Sequence, residues 1–441
     1  MQIVQSTKKL YRRLTWSWIP RSDKEAGDAI VKNILLHWFP HKVSKGSISW
    51  WYSLWLGTMS FVLFVILTVT GIVLMFLYVP SVERAYASVK DIEYVVSFGW
   101  FLRAMHRMSA HLMVATVFLH MVRVFVTGAY KNGRSVGTNR PLNWIIGLAL
   151  LICTLLLSFT GYLLPWDQLA YWAITVGTNI ASAAPIVGEK IRYFLLGGNT
   201  IDQGTLIRFY VLHVFFLPVI LVSLFAWHMW RIRKDGGLAV VDREALSQKP
   251  EQVAPVKSKT YSLLGITNGT TVHVQTRMVN EEENSLPSVP NLSRRIWLVT
   301  LVTMLLVMVS SIIVPTPLEA PANPSVTPNP AKAPWYFLWL QEIVTDTTIK
   351  LGSFTLNGAL VGGILLPGIL LVLAIWWPYR DRSSINATGV WFAPERKRQN
   401  LIFLALCLFV ILLTIVGTFL RGPYWDFYWP WEAWPTTPIR F

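Results

Sequence analysis

Seven stretches of almost unbroken apolar residues recur along the 441-residue chain, near 51–79, 100–129, 142–164, 205–230, 296–315, 356–377 and 400–420. Each has about 20 residues or more, the length of an α-helix that crosses a hydrocarbon layer of about 30 Å. The pattern predicts an all-α integral membrane protein with seven spans. Residues 25–39, EAGDAIVKNILLHWF, set Ile30, Val31, Ile34, Leu35 and Trp38 on one helical face. That predicts an amphipathic helix lying on the membrane surface. Residues 234–293 are polar, hold no span and read as a linker. The chain therefore divides into an arm at 1–49, a four-span bundle at 50–233, the linker at 234–293 and a three-span region at 294–441. Two further loops, 165–204 and 316–355, are long and rich in proline and aromatics. Structured loops of that kind commonly carry function.

Composition fits a polytopic membrane protein: 53% of residues are hydrophobic and 14% charged. The net charge of +16 raises the question of a nucleic-acid partner. The placement of the cations answers it. Lys8, Lys9, Arg12, Arg13, Arg21, Lys24, Lys32, Lys42 and Lys45 crowd the arm. Lys131, Arg134 and Arg140, then Arg231, Arg233, Lys234, Arg294 and Arg295, then Arg396, Lys397 and Arg398, fill the even-numbered connections. The odd-numbered connections carry about two each. This is the positive-inside pattern, not a nucleic-acid surface. It predicts a cytoplasmic N-terminus, an outer C-terminus and a multi-pass protein of a prokaryotic cytoplasmic membrane. The first 49 residues lack a long apolar run, so no signal peptide is expected. Cys153 and Cys407 lie inside apolar segments and read as structural thiols.

The second span holds His106, His111 and His120, and the fourth holds His213 and His228. His106 and His120 are 14 residues apart, which returns them to within roughly 40° of one face and about 21 Å apart along the axis. His213 and His228 are 15 apart, within about 60° and about 22 Å. The two spans run the same way. His106 can therefore meet His213 near the outer side, and His120 can meet His228 deeper. Two neutral imidazoles on one axis are the coordination of a low-spin haem iron. Zinc fits less well, because it prefers four close ligands. Gly57 and Gly71, and Gly147 and Gly161, repeat the 14-residue step on the first and third spans, where a macrocycle would need a wall without side chains. Arg103, Arg107, Arg123 and Arg208 lie near the expected haem edges. Intramembrane arginines are costly and usually functional. Pairing with propionates is expected for Arg103 and Arg208; Arg123 can also snorkel to the interface.

The stretches GWFLRAMHRMSA, FLHMVRVFVTGAY, TGYLLPWDQLAYWA, LIRFYVLHVFFLP, WHMWRIRKDGG, PANPSVTPNPAKAPWYFLWLQE and RGPYWDFYWPWEAW cover most of residues 45–430. In them the chain resembles cytochrome b of the cytochrome bc and b6f complexes. The 15-residue histidine step and LPWDQ resemble the b6f branch. The last three spans resemble that branch's small second subunit, fused to the first. The eighth span found in longer relatives is not expected. The resemblance implies a four-helix bundle with two b-type haems, the outer on His106 and His213, the inner on His120 and His228. It implies quinol oxidation at the outer face, with one electron to a Rieske iron–sulfur protein and a c-type cytochrome beyond. The other electron crosses to an inner quinone, and the cycle contributes to proton translocation. A homodimer within a larger complex is also implied.

Two departures stand out. The family usually has Pro-Glu-Trp-Tyr in the loop before the sixth span; this chain has Ala333, Pro334, Trp335 and Tyr336, so Pro334 stands at the glutamate position. A proton acceptor is still needed. Glu342 is the expected substitute, with Asp167 and Asp346 behind it, and Tyr162, Trp166, Trp335 and Tyr336 are expected to line the pocket. The b6f branch also tethers an extra haem to a cysteine early in its first span. Trp55 stands there, so no thioether-linked haem is expected. The inner quinone site is poorly marked, with His41, Arg231, Lys234 and Asp235 as polar groups at that depth. His37, His41, His111 and His273 are not needed as ligands; His111 is expected to hydrogen-bond a neighbouring helix or touch a partner. Two other readings compete: a di-haem b anchor that only exchanges electrons with quinone for a dehydrogenase or hydrogenase, and a transporter or channel with structural histidines.

Overall fold

The computed structural model describes residues 42–132, 138–238, 285–352 and 354–433. The expected surface helix at 25–39, His37, His41, His273 and most of the 234–293 linker lie outside them. Eleven helices are named here in chain order: α1 Leu56–Leu77, α2 Ala85–Tyr94, α3 Gly99–Val126, α4 Arg140–Tyr162, α5 Gln168–Ser182, α6 Gly188–Leu196, α7 Gln203–Lys234, α8 Ser288–Ile313, α9 Trp335–Asp346, α10 Gly358–Arg380 and α11 Pro394–Leu420. Seven of them, α1, α3, α4, α7, α8, α10 and α11, are long and apolar enough to cross a membrane. They are the seven predicted spans. Backbone groups in lipid must be satisfied within the segment, so a span can hardly be anything but a helix. The strands are short: β1 (Lys42–Ser44) pairs antiparallel with β2 (Ser285–Pro287), Val43 opposite Leu286, and β3 (Ile349–Leu351) pairs with β4 (Phe354–Leu356).

Helix α1 packs along α3, and α4 along α7. Between them sits a plug of side chains: Val62, Leu63 and Ile66 from α1, Met113 from α3, Cys153 from α4, Leu217 and Leu221 from α7, with Val307 of α8 against it. In sequence these positions fall midway between the two histidine levels. The Cys153 thiol donates to the Leu217 carbonyl at 3.4 Å, as a structural thiol would. Outward faces stay apolar, as at Phe76, Val69 and Leu305, which suits a lipid solvent.

Helix α7 is not regular. Residues Leu212–Phe216 form a π-turn in which the Leu217 N–H reaches the Leu212 carbonyl five residues back. Pro218 follows and cannot donate the next hydrogen bond. A π-turn absorbs one extra residue. The 15-residue step from His213 to His228 therefore acts as a 14-residue step, matching His106 to His120 on α3.

The loop after α4 and the loop before α9 are knitted together. Gln168 N–H donates to Ala320 O at 2.9 Å, Ala322 N–H to Trp166 O at 3.2 Å, and the Gln168 amide to Val326 O at 2.9 Å. At the other end of the molecule, Asp381 beyond α10 accepts from Tyr130 at 2.7 Å and from Arg396 at 3.2 Å. Arg396 also donates to Val126 O at 3.0 Å and to the Tyr130 hydroxyl at 2.8 Å.

Candidate functional site

Four histidines on two helices meet four glycines on two others. An ideal Cβ on Gly71 would lie 3.2 Å from His106 Cε1, and on Gly57 3.3 Å from His120 Cε1. On Gly161 it would lie 2.5 Å from His213 Cε1, and on Gly147 3.7 Å from His228 Cε1. Each glycine thus leaves room for an imidazole, a sharper role than the macrocycle wall expected from spacing alone. The rings of His106 and His213 lie with centroids 6.3 Å apart and their planes at 76°. Two metal–imidazole bonds of about 2 Å end to end, plus the half-width of each ring, add to about 6 Å. The pair is spaced to hold one metal atom between its rings.

The ring orientations are fixed from behind. Thr70 donates to Ile66 O at 2.7 Å, so its oxygen accepts at 2.9 Å from His106 Nδ1–H. Thr160 donates to Leu156 O at 2.9 Å, and its oxygen lies 3.2 Å from His213 Nδ1. Leu157 O lies 3.1 Å from the same nitrogen. A proton held on Nδ1 leaves the Nε2 lone pair free for a metal. The repeated Thr-Gly dipeptide, Thr70-Gly71 and Thr160-Gly161, was a readable signal for this support. At the second station, Nδ1 of His120 and of His228 has no partner in bonding geometry among the described residues. Arg231 is ion-paired with Asp235 at 2.7 Å and Arg140 donates to Asp235 O at 2.9 Å, yet among the described residues single buried guanidinium atoms at that end, Arg123 Nη2, Arg140 Nε and Arg231 Nε, have no acceptor. Such atoms call for an anionic ligand group. Among the described residues no three His, Cys, Asp or Glu side chains gather as a metal cage needs. Two imidazoles at each station, with buried guanidinium groups at the second, would suit a flat metal macrocycle with anionic arms.

The arginines predicted at the haem edges all have protein partners. Arg103 pairs with Glu93 at 2.6 Å and donates to the carbonyls of Thr316 and Pro317. Arg107 also donates to Pro317 O, at 3.2 Å. Arg208 donates to Gly204 O at 3.0 Å, and Arg123 to Tyr52 O at 3.1 Å. Trp55 is buried with Ile48 and Val299, just where Leu54 and Trp55 both turn left-handed before α1.

Of the residues expected to line the quinol pocket, Trp335 and Tyr336 open α9. Pro334 caps its N-terminus, Trp335 is largely exposed and Tyr336 is buried. The Trp335 indole donates to His111 Nδ1 at 3.1 Å, and the Tyr336 ring lies 5.7 Å from the His111 ring. The expectation that His111 bonds a neighbouring helix holds, and the neighbour is the pocket helix. Burial pushes the Tyr336 hydroxyl up to about 12, with Arg107 and a hydrogen bond from Ser158 partly offsetting it. Burial also raises Asp167, although Ala170 N–H, Glu319 N–H, Arg103 and Arg107 oppose it. Both Asp167 oxygens accept from backbone N–H groups, at 2.9 and 3.4 Å, and the residue caps α5. Trp166 is buried beside Leu163 and Phe209.

Glu342 is fully buried, but six residues beyond Tyr336 it points about 120° round the helix. There Arg421 holds it through Nε at 2.9 Å and Nη2 at 2.5 Å, and Asp346 joins the same guanidinium at 3.2 Å. A carboxylate so held must leave its partner before it takes a proton. Burial and the neighbouring Glu342 raise Asp346, with Arg421 opposing.

The sequence profile of the family described as "Cytochrome b/b6/petB" matches residues 40–236, and that of "Cytochrome b(C-terminal)/b6/petD" matches 321–428. The chain is 42% identical to cytochrome b6 of Tupiella akineta over 181 residues, 41% of this chain and 81% of that one. It is 41% identical to cytochrome b6 of Heliobacterium modesticaldum over 196 residues, 44% of this chain and 88% of that one. Among solved structures it is similar in fold to a chain of a "Hyperthermophilic respiratory Complex III", with a TM-score of 0.66 and 24% identity, covering 91% of this chain and 90% of that chain.

Proposed function

The chain belongs to the cytochrome b/b6 family of bc-type and b6f-type quinol oxidoreductase complexes, with an N-terminal b6-like part and a C-terminal part like the small second subunit, and from that premise we propose that it oxidises quinol at the α9 pocket and passes electrons across the membrane. His106 and His213 hold one b-type haem, and His120 and His228 hold the second. When bound, the two haems supply one-electron carriers along the membrane normal. The chain's own residues do the rest. Thr70 and Thr160 orient the first pair of imidazoles. Gly57, Gly71, Gly147 and Gly161 give the rings room. Arg123, Arg140 and Arg231 each keep one buried N–H without an acceptor among the described residues, which anionic arms at the second station would use.

The four-span bundle of 50–233 is the electron conduit, and 294–441 supplies the quinol-site loop. Tyr162, Trp166, Pro334, Trp335 and Tyr336 shape the pocket. Asp167 braces the loop as a helix cap, and Glu342 anchors α9 to Arg421. The α9 end faces outward, where a Rieske iron–sulfur protein takes one electron and hands it toward a c-type cytochrome. The other electron ends on a quinone at the opposite face, and protons leave outside and enter inside. The assembly is a homodimer in a prokaryotic cytoplasmic membrane.

The single observation that carries this reading is the 6.3 Å separation of the His106 and His213 rings, each seated on a glycine. The test is a reduced-minus-oxidised spectrum of the purified complex, followed by quinol oxidation with and without the iron–sulfur partner. Two b-haem signals are expected, one lost in His120→Ala and in His228→Ala. Both signals surviving those substitutions would overturn the ligation. Haem reduction by quinone exchange alone, independent of the iron–sulfur protein, would instead make the chain a membrane anchor.

A further inference from the structure

Resting on that reading, we propose that His111 is a base that takes a proton from the quinol, in the place where the family's usual glutamate is replaced by Pro334. His111 lies five residues after His106 on α3 and so points about 140° away from the paired rings. It faces the start of α9, where Trp335 and Tyr336 meet it at the distances given above. Pro334, with no side-chain acceptor, is the residue immediately before them.

A base at this pocket needs a lone pair, reach and an exchangeable partner. The Trp335 N–H donates to Nδ1, so in the neutral ring that nitrogen carries the lone pair and the proton sits on Nε2. The indole is a placeholder: it is 42% exposed, and a quinol hydroxyl can displace it as donor. The other titratable groups around the pocket are less available. Asp167 spends both oxygens on backbone N–H groups, and Glu342 is locked to Arg421. Tyr162 and Tyr336 are phenols beside Arg107, which also feels Arg103 and Asp167. Glu319 is exposed on the loop. Arg107, one helical turn before His111 on α3, carries the positive charge that would stabilise the quinolate that proton loss leaves behind.

The step balances simply. One quinol O–H bond breaks, its electron pair stays on oxygen as quinolate, and the proton forms an N–H bond at Nδ1 of His111. The two electrons then leave by the two routes given above, and the second hydroxyl proton is not part of this step.

The experiment uses the assembled complex in membranes, with haem spectra to verify assembly. His111→Gln keeps an acceptor for Trp335 but cannot take the proton. Its quinol oxidation rate should fall by about 100-fold or more, with KM little changed and the acid limb of the pH profile gone. His111→Glu, which restores a group able to take the proton, should recover part of the rate. Independently, redox-induced infrared difference spectra of histidine-labelled complex should show an imidazole protonation band that His111→Gln lacks. Unchanged rate and pH profile in His111→Gln, or survival of that band, overturns the proposal while leaving quinol oxidation intact. Failure of the wild-type complex to oxidise quinol, with both haems reducible by dithionite, would sink the functional reading itself.

Discussion

At Gly161 the added methyl of alanine would meet His213 at 2.5 Å, closer than real Cβ contacts come, whereas at Gly147 it would meet His228 at an ordinary 3.7 Å. The two glycines look equivalent in sequence, yet only one is sterically obligatory. Gly161→Ala should push His213 off its Thr160 and Leu157 supports and lose or shift one of the two haem signals. Gly147→Ala should keep both. Redox difference spectra of the two variants, side by side, check this. Equal damage at both sites would mean that the glycines serve general helix packing rather than the imidazoles. Charge teaches a different lesson at this scale. Glu342 was legible as a carboxylate near the pocket, but its partner Arg421 lies 79 residues away in sequence, and no local pattern announces such a pair. The same holds for His111, whose donor Trp335 is 224 residues distant.

The π-turn in α7 makes a prediction about registry rather than about any side chain. Deleting Phe215, which lies inside the turn and faces outward, removes the extra residue. Combined with Pro218→Leu, which restores the missing N–H, the helix should become regular and keep His213 and His228 at matched positions. Both haem signals should persist. Deleting Leu224 from the regular stretch should instead rotate one histidine by about 100° relative to the other and lose a signal. If the two deletions behave alike, the turn is not what reconciles the 15-residue step. The spans themselves were legible because the bilayer imposes both length and apolarity. The short helices α2, α5, α6 and α9 were not, since 9 to 15 residues of mixed composition in a loop carry no clear period. The π-turn escaped notice because a shifted hydrogen bond leaves no residue signature beyond Pro218. Spacing alone therefore predicts an angular offset that α7 in fact absorbs.

Across the whole molecule, a buried knot ties the loop after α3 to the connection between α10 and α11. The side chains of Asp381 and Arg396 are both fully buried there, with Lys131 3.5 Å from the same carboxylate. Gly128, at φ +64°, lets the guanidinium pass; a Cβ there would sit 2.9 Å from Arg396 Nη1. This knot joins the four-span bundle to the last two spans without a covalent link nearby, so it should control whether the fused halves stay docked. Burial alone would raise the Asp381 carboxyl, but hydrogen bonds from Ser383 and Tyr130 and the Lys131 ammonium bring it down to about 2, from an ordinary value of 3.8. A carboxyl lowered on folding stabilises the fold above its unfolded value and loses that stabilisation as pH falls toward its folded value. The contribution should therefore be complete above about pH 4 and fade between pH 4 and pH 2. Asp381→Asn strands Arg396 as an unpaired buried cation, a change that typically costs about 3–5 kcal/mol. The variant should melt well below wild type at pH 7 in detergent. The gap in melting temperature should narrow as both are acidified below pH 4, because the wild type then loses what the variant never had. A gap that stays constant down to pH 2 would show that the ionised carboxylate is not what holds the halves together.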